Sequence, residues 1–407
     1  MMQIIGANKN FDITVDLVGS KSESNRALMI AYYGGFAPRI HNLSTSDDTV
    51  LLSRIINSVN VQTRFIDCHN AGTVLRFLLT ALSFRDGNWI LTGCDRMFER
   101  PIGDLVDALR TMGADIEYIR QEGFPPLKIN GKTPVVETFP ETSQPIHVDI
   151  SHSSQFASSI LLAIPVVETF PETSPIVRLD GDLSSLPYID MTIDIMQKFG
   201  IKIHRDGRDV FLQPSEYQDV EYTVESDWTC ASYWYEMVAF SENGRARLRN
   251  LHLDSKQGDA IVAKWFENFG VQSVQDGNDI IIGKNHSIFS NDLSFDFINN
   301  PDLYPTIAAT CAGLGINAQF TGLQNLKYKE SDRVAAMTME LSKSNNFDSH
   351  NDHRIAMALA PLAMKIGAIE INNADVVSKS YPNFWEEIEA SFRPKLLSVA
   401  EKSPVIE

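Results

Sequence analysis

The sequence predicts an α/β or α+β protein assembled from repeated helix-then-strand modules. Two observations carry this. Amphipathic helical runs recur, each ending in Gly or Asn and followed at once by a β-like run. No apolar run reaches membrane-spanning length, the longest being interrupted by Pro165 near Ile160 to Val167. Hydrophobic content of 43% and charged content of 21% are ordinary for a globular chain of 407 residues, which has room for two or three domains.

Taken in order, a β-like run at Phe11 to Val15 leads to an apolar helix at Ala27 to Ala31. Leu51 to Val59 forms a helix ending at Asn60 before Val61-Gln62-Thr63. Val74 to Leu79 is helical. Leu105 to Met112 ends at Gly113 before Ala114-Asp115-Ile116. A helix runs from Ser153-Ser154 to Leu162. Met191 to Phe199 ends at Gly200 before Ile201-Lys202-Ile203, and Ile261 to Phe269 ends at Gly270 before Val271 to Val274. Val334 to Leu341 is a fifth copy without a closing Gly, and Phe384 to Phe392 stands for a sixth. Gly and Asn suit these stops because they tolerate the left-handed conformation that closes a helix.

Net charge is −17 and the isoelectric point is near 5.0, which makes nucleic acid and anionic membranes poor partners. Four scattered cysteines, Cys68, Cys94, Cys230 and Cys311, have neither metal-ligand spacing nor a disulfide framework, so no metal is expected. With no signal-peptide pattern at the N-terminus, a cytoplasmic location is expected. There is no Gly-x-Gly-x-x-Gly after a strand and no P-loop, which argues against a dinucleotide or ordinary ATP site. One ten-residue segment, Pro134 to Ser143, recurs letter for letter at Pro165 to Ser174. Its Pro, Glu, Thr and Ser content points to a surface loop for at least one copy.

The basic residues are where the sequence departs from expectation. Lys21-Ser22-Glu23-Ser24-Asn25-Arg26 opens the Ala27 helix. Asn70-Ala71-Gly72-Thr73 opens the Val74 helix. Glu99-Arg100-Pro101-Ile102 precedes Leu105, with Pro near the first turn. Lys327-Tyr328-Lys329-Glu330-Ser331-Asp332-Arg333 precedes Val334, and Asn351-Asp352-His353-Arg354 precedes Ile355. A helix start carries the positive end of the dipole and unpaired N–H groups, so it favours anions rather than cations. Cations placed there in an acidic protein work against local electrostatics. Small, multiply charged anionic ligands would resolve that conflict.

In order, these motifs resemble the 5-enolpyruvylshikimate-3-phosphate synthase (3-phosphoshikimate 1-carboxyvinyltransferase) family nearly end to end. Ser153-Ser-Gln155, Ser185-Leu-Pro-Tyr-Ile-Asp190, Glu225 to Ser232, Pro301-Asp302, Asp352-His-Arg354 and Lys379-Ser-Tyr-Pro382 complete the set. The resemblance implies the enolpyruvyl transferase fold. That fold has two similar domains, each of three βαβαββ units with helices packed inside sheets. The boundaries implied are 20–224 for one domain and 1–19 with 225–407 for the other.

The implied reaction moves the enolpyruvyl group of phosphoenolpyruvate onto the 5-hydroxyl of shikimate 3-phosphate and releases phosphate. It needs no cofactor, and a monomer acting on small anions is expected. Lys21, Gly72, Arg100, Gln155, Arg333, Arg354 and Lys379 match positions that hold phosphoenolpyruvate. Lys21, Ser22, Arg26, Ser153, Ser154, Gln155, Ser185, Tyr188, Asp302, Asn325 and Lys329 match positions that hold shikimate 3-phosphate. The nucleophilic hydroxyl needs a base, and Asp302 stands there. The enol carbon needs a proton, and Glu330 is the donor implied. Lys21 would stabilise charge on the tetrahedral intermediate.

Each assignment has a structural alternative. Glu330 could pair with Lys327 or Arg333, Asp302 could cap the helix at Thr306, and Ser153-Ser154 could cap the helix to Leu162. The intervals 48–70 and 333–352 are shorter than the resemblance implies by the length of a β-hairpin, which would expose a sheet edge. Phe77 stands where many members carry Pro. The alternative activity is that of UDP-N-acetylglucosamine enolpyruvyl transferase, which uses a cysteine on the loop corresponding to Cys94. A non-catalytic anion-binding relative is a further alternative.

Overall fold

The computed structural model describes residues 2–5, 9–59, 62, 64–133, 145–167, 175–213, 215–285, 293–392 and 395–398. Contacts divide the chain into two compact units. A central unit comprises Gly19–Glu225 with Lys256–Gly258, and a terminal unit comprises Met1–Val18, Ser226–Ser255 and Asp259–Glu407.

One path recurs in the central unit. Strand Phe65–Asp67 runs parallel to Gly87–Thr92, with helix Gly72–Ser83 between them in the chain. Helix Gly103–Thr111 follows, and then a hairpin of Asp115–Tyr118 and Leu127–Gly131, whose second strand pairs back onto Gly87–Thr92. The same βαβαββ path joins Ile146–Asp149, helix Gln155–Ala163, Ile176–Asp180, helix Leu186–Lys198 and the hairpin Ile203–Asp206 with Asp209–Leu212.

The terminal unit repeats it by borrowing its N-terminal strands. Asn10–Val15 pairs parallel with Asn243–Leu248, beside the hairpin of Val271–Asp276 and Asp279–Lys284. Asn346–Asp348 pairs parallel with Ile369–Asn372, beside Met2–Ile5 and Lys395–Ser398.

The remaining sheet of each unit is truncated. Tyr222–Thr223 with Ile40–His41, and Leu293–Asp296 with Ala318–Thr321, are parallel pairs that lack a closing hairpin among the described residues. The helices that follow, Asp47–Ser58 and Arg333–Leu341, lead into strands of other sheets. The two shortened intervals therefore sit where those hairpins would lie. The consequence is visible in burial: Val50 and Met339, on these two helices, are 56% and 55% exposed.

Helices Gly72–Ser83 and Trp228–Phe240 are buried along their whole length, as is His353–Leu359. A helix apolar on every face belongs inside a core. Most strands instead alternate buried and exposed residues, turning one face inward and the other to solvent. The fold is thus α/β, with helices enclosed by small sheets, and each unit has its own core.

Three local expectations change. The Ile261 helix is not continuous: a 3₁₀ turn Gly258–Ile261, an α turn Val262–Trp265 and a 3₁₀ turn Phe266–Phe269 replace it. The 3₁₀ winding eclipses residues three apart, and the Phe266 and Phe269 rings accordingly meet edge to face at 5.1 Å. Trp265 is drawn out against Phe295 and Phe297 at 5.3 and 5.4 Å. The strand after Gly200 begins at Ile203 rather than Ile201. Pro101 lies before its helix, which starts at Gly103. The expected strand at 61–63 falls largely outside the described residues. The repeated segment does too, apart from Pro165, Val166 and Val167.

Candidate active site

In the central unit, three helix starts carry the predicted residues. Ser20 caps helix Lys21–Gly34 by accepting from the Glu23 amide, which leaves Lys21 on the first turn, 3.3 Å from the Asp48 carboxylate. Arg26 is buried one turn further on. Its Nε donates to Thr192 Oγ1 at 2.7 Å, Nη1 to the Ser22 carbonyl at 2.9 Å, and Nη2 to Ser158 Oγ and the Tyr188 carbonyl, both at 3.1 Å. Its guanidinium also lies over the Phe77 ring, 5.8 Å from the centroid. Burial lowers its pKa to about 10, against the pull of Tyr188 and Glu23. Glu23, inside the same basic run, is pushed up to about 7, first by burial and then by Glu225.

The second helix start is built around a missing side chain. A Cβ on Gly72 would lie 2.7 Å from Arg76 Nη1 and 2.8 Å from both terminal nitrogens of Arg100. Two guanidinium groups thus converge on the first residue of helix Gly72–Ser83, which has no side-chain cap. Gln155 braces Arg76: its Oε1 accepts from Arg76 Nη1 at 2.8 Å and its Nε2 donates to Thr73 Oγ1 at 2.9 Å. Two cations beside a helix N-terminus, whose first N–H groups have no intrahelical acceptor, form an anion cradle.

Gln155 itself opens helix Gln155–Ala163. Ser153 Oγ accepts from its amide at 3.3 Å, so the capping role considered for Ser153 is present, while Ser154 is buried and makes no cap bond. Ser185 precedes helix Leu186–Lys198 in the left-handed region, at φ 57°. That conformation is costly for a residue with a side chain and is kept at positions whose geometry matters. Tyr188 lies on the first turn after it.

The terminal unit holds a second cluster. Asp302 is on the 3₁₀ turn Pro301–Leu303 that leads into helix Tyr304–Leu314 and makes no cap bond there. Its Oδ1 accepts from Arg333 Nη1 at 2.7 Å and lies 3.5 Å from Lys329 Nζ, and its Oδ2 accepts from Arg354 Nη2 at 2.7 Å. Burial by itself would raise the Asp302 carboxyl, but Arg354, Lys329 and Arg333 outweigh it and hold the group well below the usual carboxylate range. Glu330 lies between Arg333 Nη2 at 3.1 Å and Lys379 Nζ at 3.5 Å, while Lys327 lies over the ring of Tyr328. The pairing with Arg333 is present, and Lys379 takes part. Asn325 starts the 3₁₀ turn Leu326–Tyr328 that delivers Lys329.

Several residues of these clusters had no assigned role in the sequence reading. Arg76 lies four residues after Gly72, one helical turn on, and so faces the same side. Thr73 and Asp48 hold Gln155 and Lys21. Asp352 caps helix His353–Leu359 through the Arg354 amide and also accepts from Arg333 and Ser331. An Asp directly before a helical apolar run was the available signal. Cys94 is exposed, ahead of the 3₁₀ turn Asp95–Glu99. Among the described residues, no group of three or more His, Cys, Asp and Glu could hold a metal ion, and no helix is long and apolar enough to cross a membrane.

Helices enclosed by βαβαββ sheets, with cations at helix starts, define the enolpyruvyl transferase class. Two solved structures share this fold: EPSP synthase from Acinetobacter baumannii, at TM-score 0.72 and 21% identity over 98% of this chain and 99% of that one, and the enolpyruvyl transferase NikO from Streptomyces tendae, at TM-score 0.66 and 13% identity over 97% and 98%. The family model for EPSP synthase (3-phosphoshikimate 1-carboxyvinyltransferase) matches residues 39–346 and 342–388. The 3-phosphoshikimate 1-carboxyvinyltransferase of Bacteroides fragilis is 37% identical over 95% of this chain and 97% of its own length, and that of Shewanella loihica 34% over 93% and 96%. The chain belongs to the EPSP synthase family.

Proposed function

We propose that the protein transfers the enolpyruvyl group of phosphoenolpyruvate to the 5-hydroxyl of shikimate 3-phosphate and releases phosphate. The observation that carries this reading is the Asp302 carboxylate held by Arg333, Arg354 and Lys329. In that state Asp302 is a poor base. An incoming carboxylate or phosphate competes for the same guanidinium groups. As those cations turn to the substrate, Asp302 loses the charges that depress it and becomes basic enough to take the hydroxyl proton.

The remaining roles follow from the chemistry. Attack of the 5-hydroxyl on the substituted enol carbon places a new C–O bond there and a proton on the terminal carbon, which Glu330 supplies. Loss of phosphate from the tetrahedral adduct, with return of that proton, restores the double bond. Lys21 offsets charge on the adduct. Arg76 and Arg100 at Gly72, with Gln155, offer a seat for phosphoenolpyruvate. Ser22, Arg26, Ser153, Ser154, Ser185, Tyr188, Asn325 and Lys329 serve shikimate 3-phosphate. No step calls for a metal or organic cofactor, and the same reading carries a monomeric, cytoplasmic enzyme.

Phosphate release from phosphoenolpyruvate tests the proposal. It is expected only when shikimate 3-phosphate is also present. Release that needs UDP-N-acetylglucosamine instead, or no release with either acceptor, overturns it.

A further inference from the structure

Asp259 is a buried carboxylate outside the residues assigned so far. It lies on the 3₁₀ turn Gly258–Ile261 and is 3% exposed. Its Oδ2 accepts from Thr229 Oγ1, on helix Trp228–Phe240, at 2.5 Å. Its Oδ1 accepts from Asn300 Nδ2 at 3.3 Å. Asn300 is the residue ahead of the 3₁₀ turn Pro301–Leu303. Its side chain makes no cap bond to that turn, while its carbonyl accepts from the Leu303 amide at 3.1 Å. The same turn carries Asp302, whose carboxylate goes to Arg333 and Arg354.

Two carboxylates thus flank one short turn and feel each other. The groups acting on Asp259 are Asp302 on its own turn, Arg354 at the start of helix His353–Leu359, Thr229 and Asn300. Burial first, and then the charge of Asp302, push the Asp259 carboxyl up to about 6, against the pull of Thr229, Arg354 and Asn300. By reciprocity, a charge on Asp259 favours a proton on Asp302.

We propose that Asp259 is a positioning residue for Asp302: its bond to Asn300 fixes the turn that aims the Asp302 carboxylate, and its negative charge strengthens Asp302 as a base. The inference rests on the base role proposed for Asp302. Nothing in the sequence pattern singles Asp259 out. Its part is visible only once the chain brings Gly258–Ile261 beside Asn300.

The test compares pH profiles of kcat on the intact protein. Wild type should lose kcat as pH falls through the Asp259 ionisation near 6. Asp259→Asn removes the charge, so its kcat at pH 8 should fall by about tenfold while both KM values hold, and the limb near pH 6 should vanish. Thr229→Val removes a donor to the charged form and should move that limb to higher pH, whereas Thr229→Ser should restore it. Asn300→Ala should lower kcat and leave KM unchanged, which keeps the inference testable if Asp259→Asn does not fold. A wild-type profile in Asp259→Asn or in both Thr229→Val and Asn300→Ala, with Asp302→Asn inactive, overturns the positioning role and leaves the base role standing. Near-normal turnover in Asp302→Asn overturns both.

Discussion

Arg333 and Asp352 are joined by two bonds within the terminal unit, from Nε to Oδ2 at 2.8 Å and from Nη2 to Oδ1 at 3.4 Å, with side chains only 1% and 0% exposed. The same carboxylate caps the helix that carries Arg354. One buried acid therefore fixes both arginines that grip Asp302, which makes it a support for the site as much as for the fold. The charge on Arg333 is secured in turn. Burial lowers its pKa, but Asp352, Asp302 and Glu330 outweigh that and raise it.

Asp352→Ala leaves Arg333 buried with two of its four hydrogen bonds gone, and helix His353–Leu359 uncapped. Breaking a buried pair from one side typically costs about 3–5 kcal/mol. The expected outcome is a loss of that order in denaturant unfolding. Adding Arg333→Met to Asp352→Ala should recover part of it, because the buried guanidinium that lost those bonds is then gone. A loss under about 1 kcal/mol in the single variant would show the pair to be solvated in solution.

Gly72→Ala tests the cradle. The new Cβ would fall within 2.8 Å of Arg100 and closer still to Arg76. Both groups are tips of long side chains, so they can move and the fold should survive. They cannot move and still converge. KM for phosphoenolpyruvate is expected to rise about tenfold, equivalent to about 1.4 kcal/mol, with shikimate 3-phosphate affinity little changed. Steady-state kinetics with each substrate varied decides it, and an unchanged KM for phosphoenolpyruvate would remove Gly72 from that seat.

Cys94→Ser separates the two enolpyruvyl transferase chemistries. Cys94 is exposed on the loop ahead of Asp95–Glu99 and takes no part in the chemistry proposed for Asp302 and Glu330. Turnover should change by less than a few-fold, and a thiol alkylator should not abolish it through this residue. Abolished turnover in a folded variant would transfer the catalytic role to the cysteine.

The helix-then-strand repeat was legible because its stop signals are local. Gly113, Gly200 and Gly270 all adopt positive φ where the sequence reading closes a helix. The clusters were half legible. Cations at helix starts are anomalous in one dimension, which flags Lys21, Arg100, Arg333 and Arg354. Their supporting carboxylates are not anomalous, because Asp48, Asp259 and Asp352 look like ordinary surface or capping acids until the chain folds. The broken helix at Ile261 was hidden for another reason: its amphipathic period is helical, and only packing of Trp265 and Phe266 against aromatic neighbours decides the winding. The sequence intervals that run short are legible as lengths, but which sheets lose a hairpin required the strand pairings.

Glu236 gives a prediction about stability that is independent of the reaction. It lies in the middle of helix Trp228–Phe240, fully buried, with no hydrogen-bond partner for either carboxyl oxygen among the described residues. Burial raises its pKa well above the ordinary 4.5. A folded state that holds the proton while the unfolded state releases it loses stability as pH rises. The loss begins once pH passes about 4.5 and grows by about 1.4 kcal/mol per pH unit until the folded-state value is reached. Glu23 and Asp259, raised to about 7 and about 6, add slopes of the same sign over narrower windows. The measurement is therefore a difference. The thermal midpoint of Glu236→Gln minus that of wild type should be near zero at pH 4.5 and should increase steadily toward pH 8, because glutamine has no proton to lose. A difference that stays flat across this range would mean that the Glu236 carboxyl is hydrated or paired in solution and ionises normally.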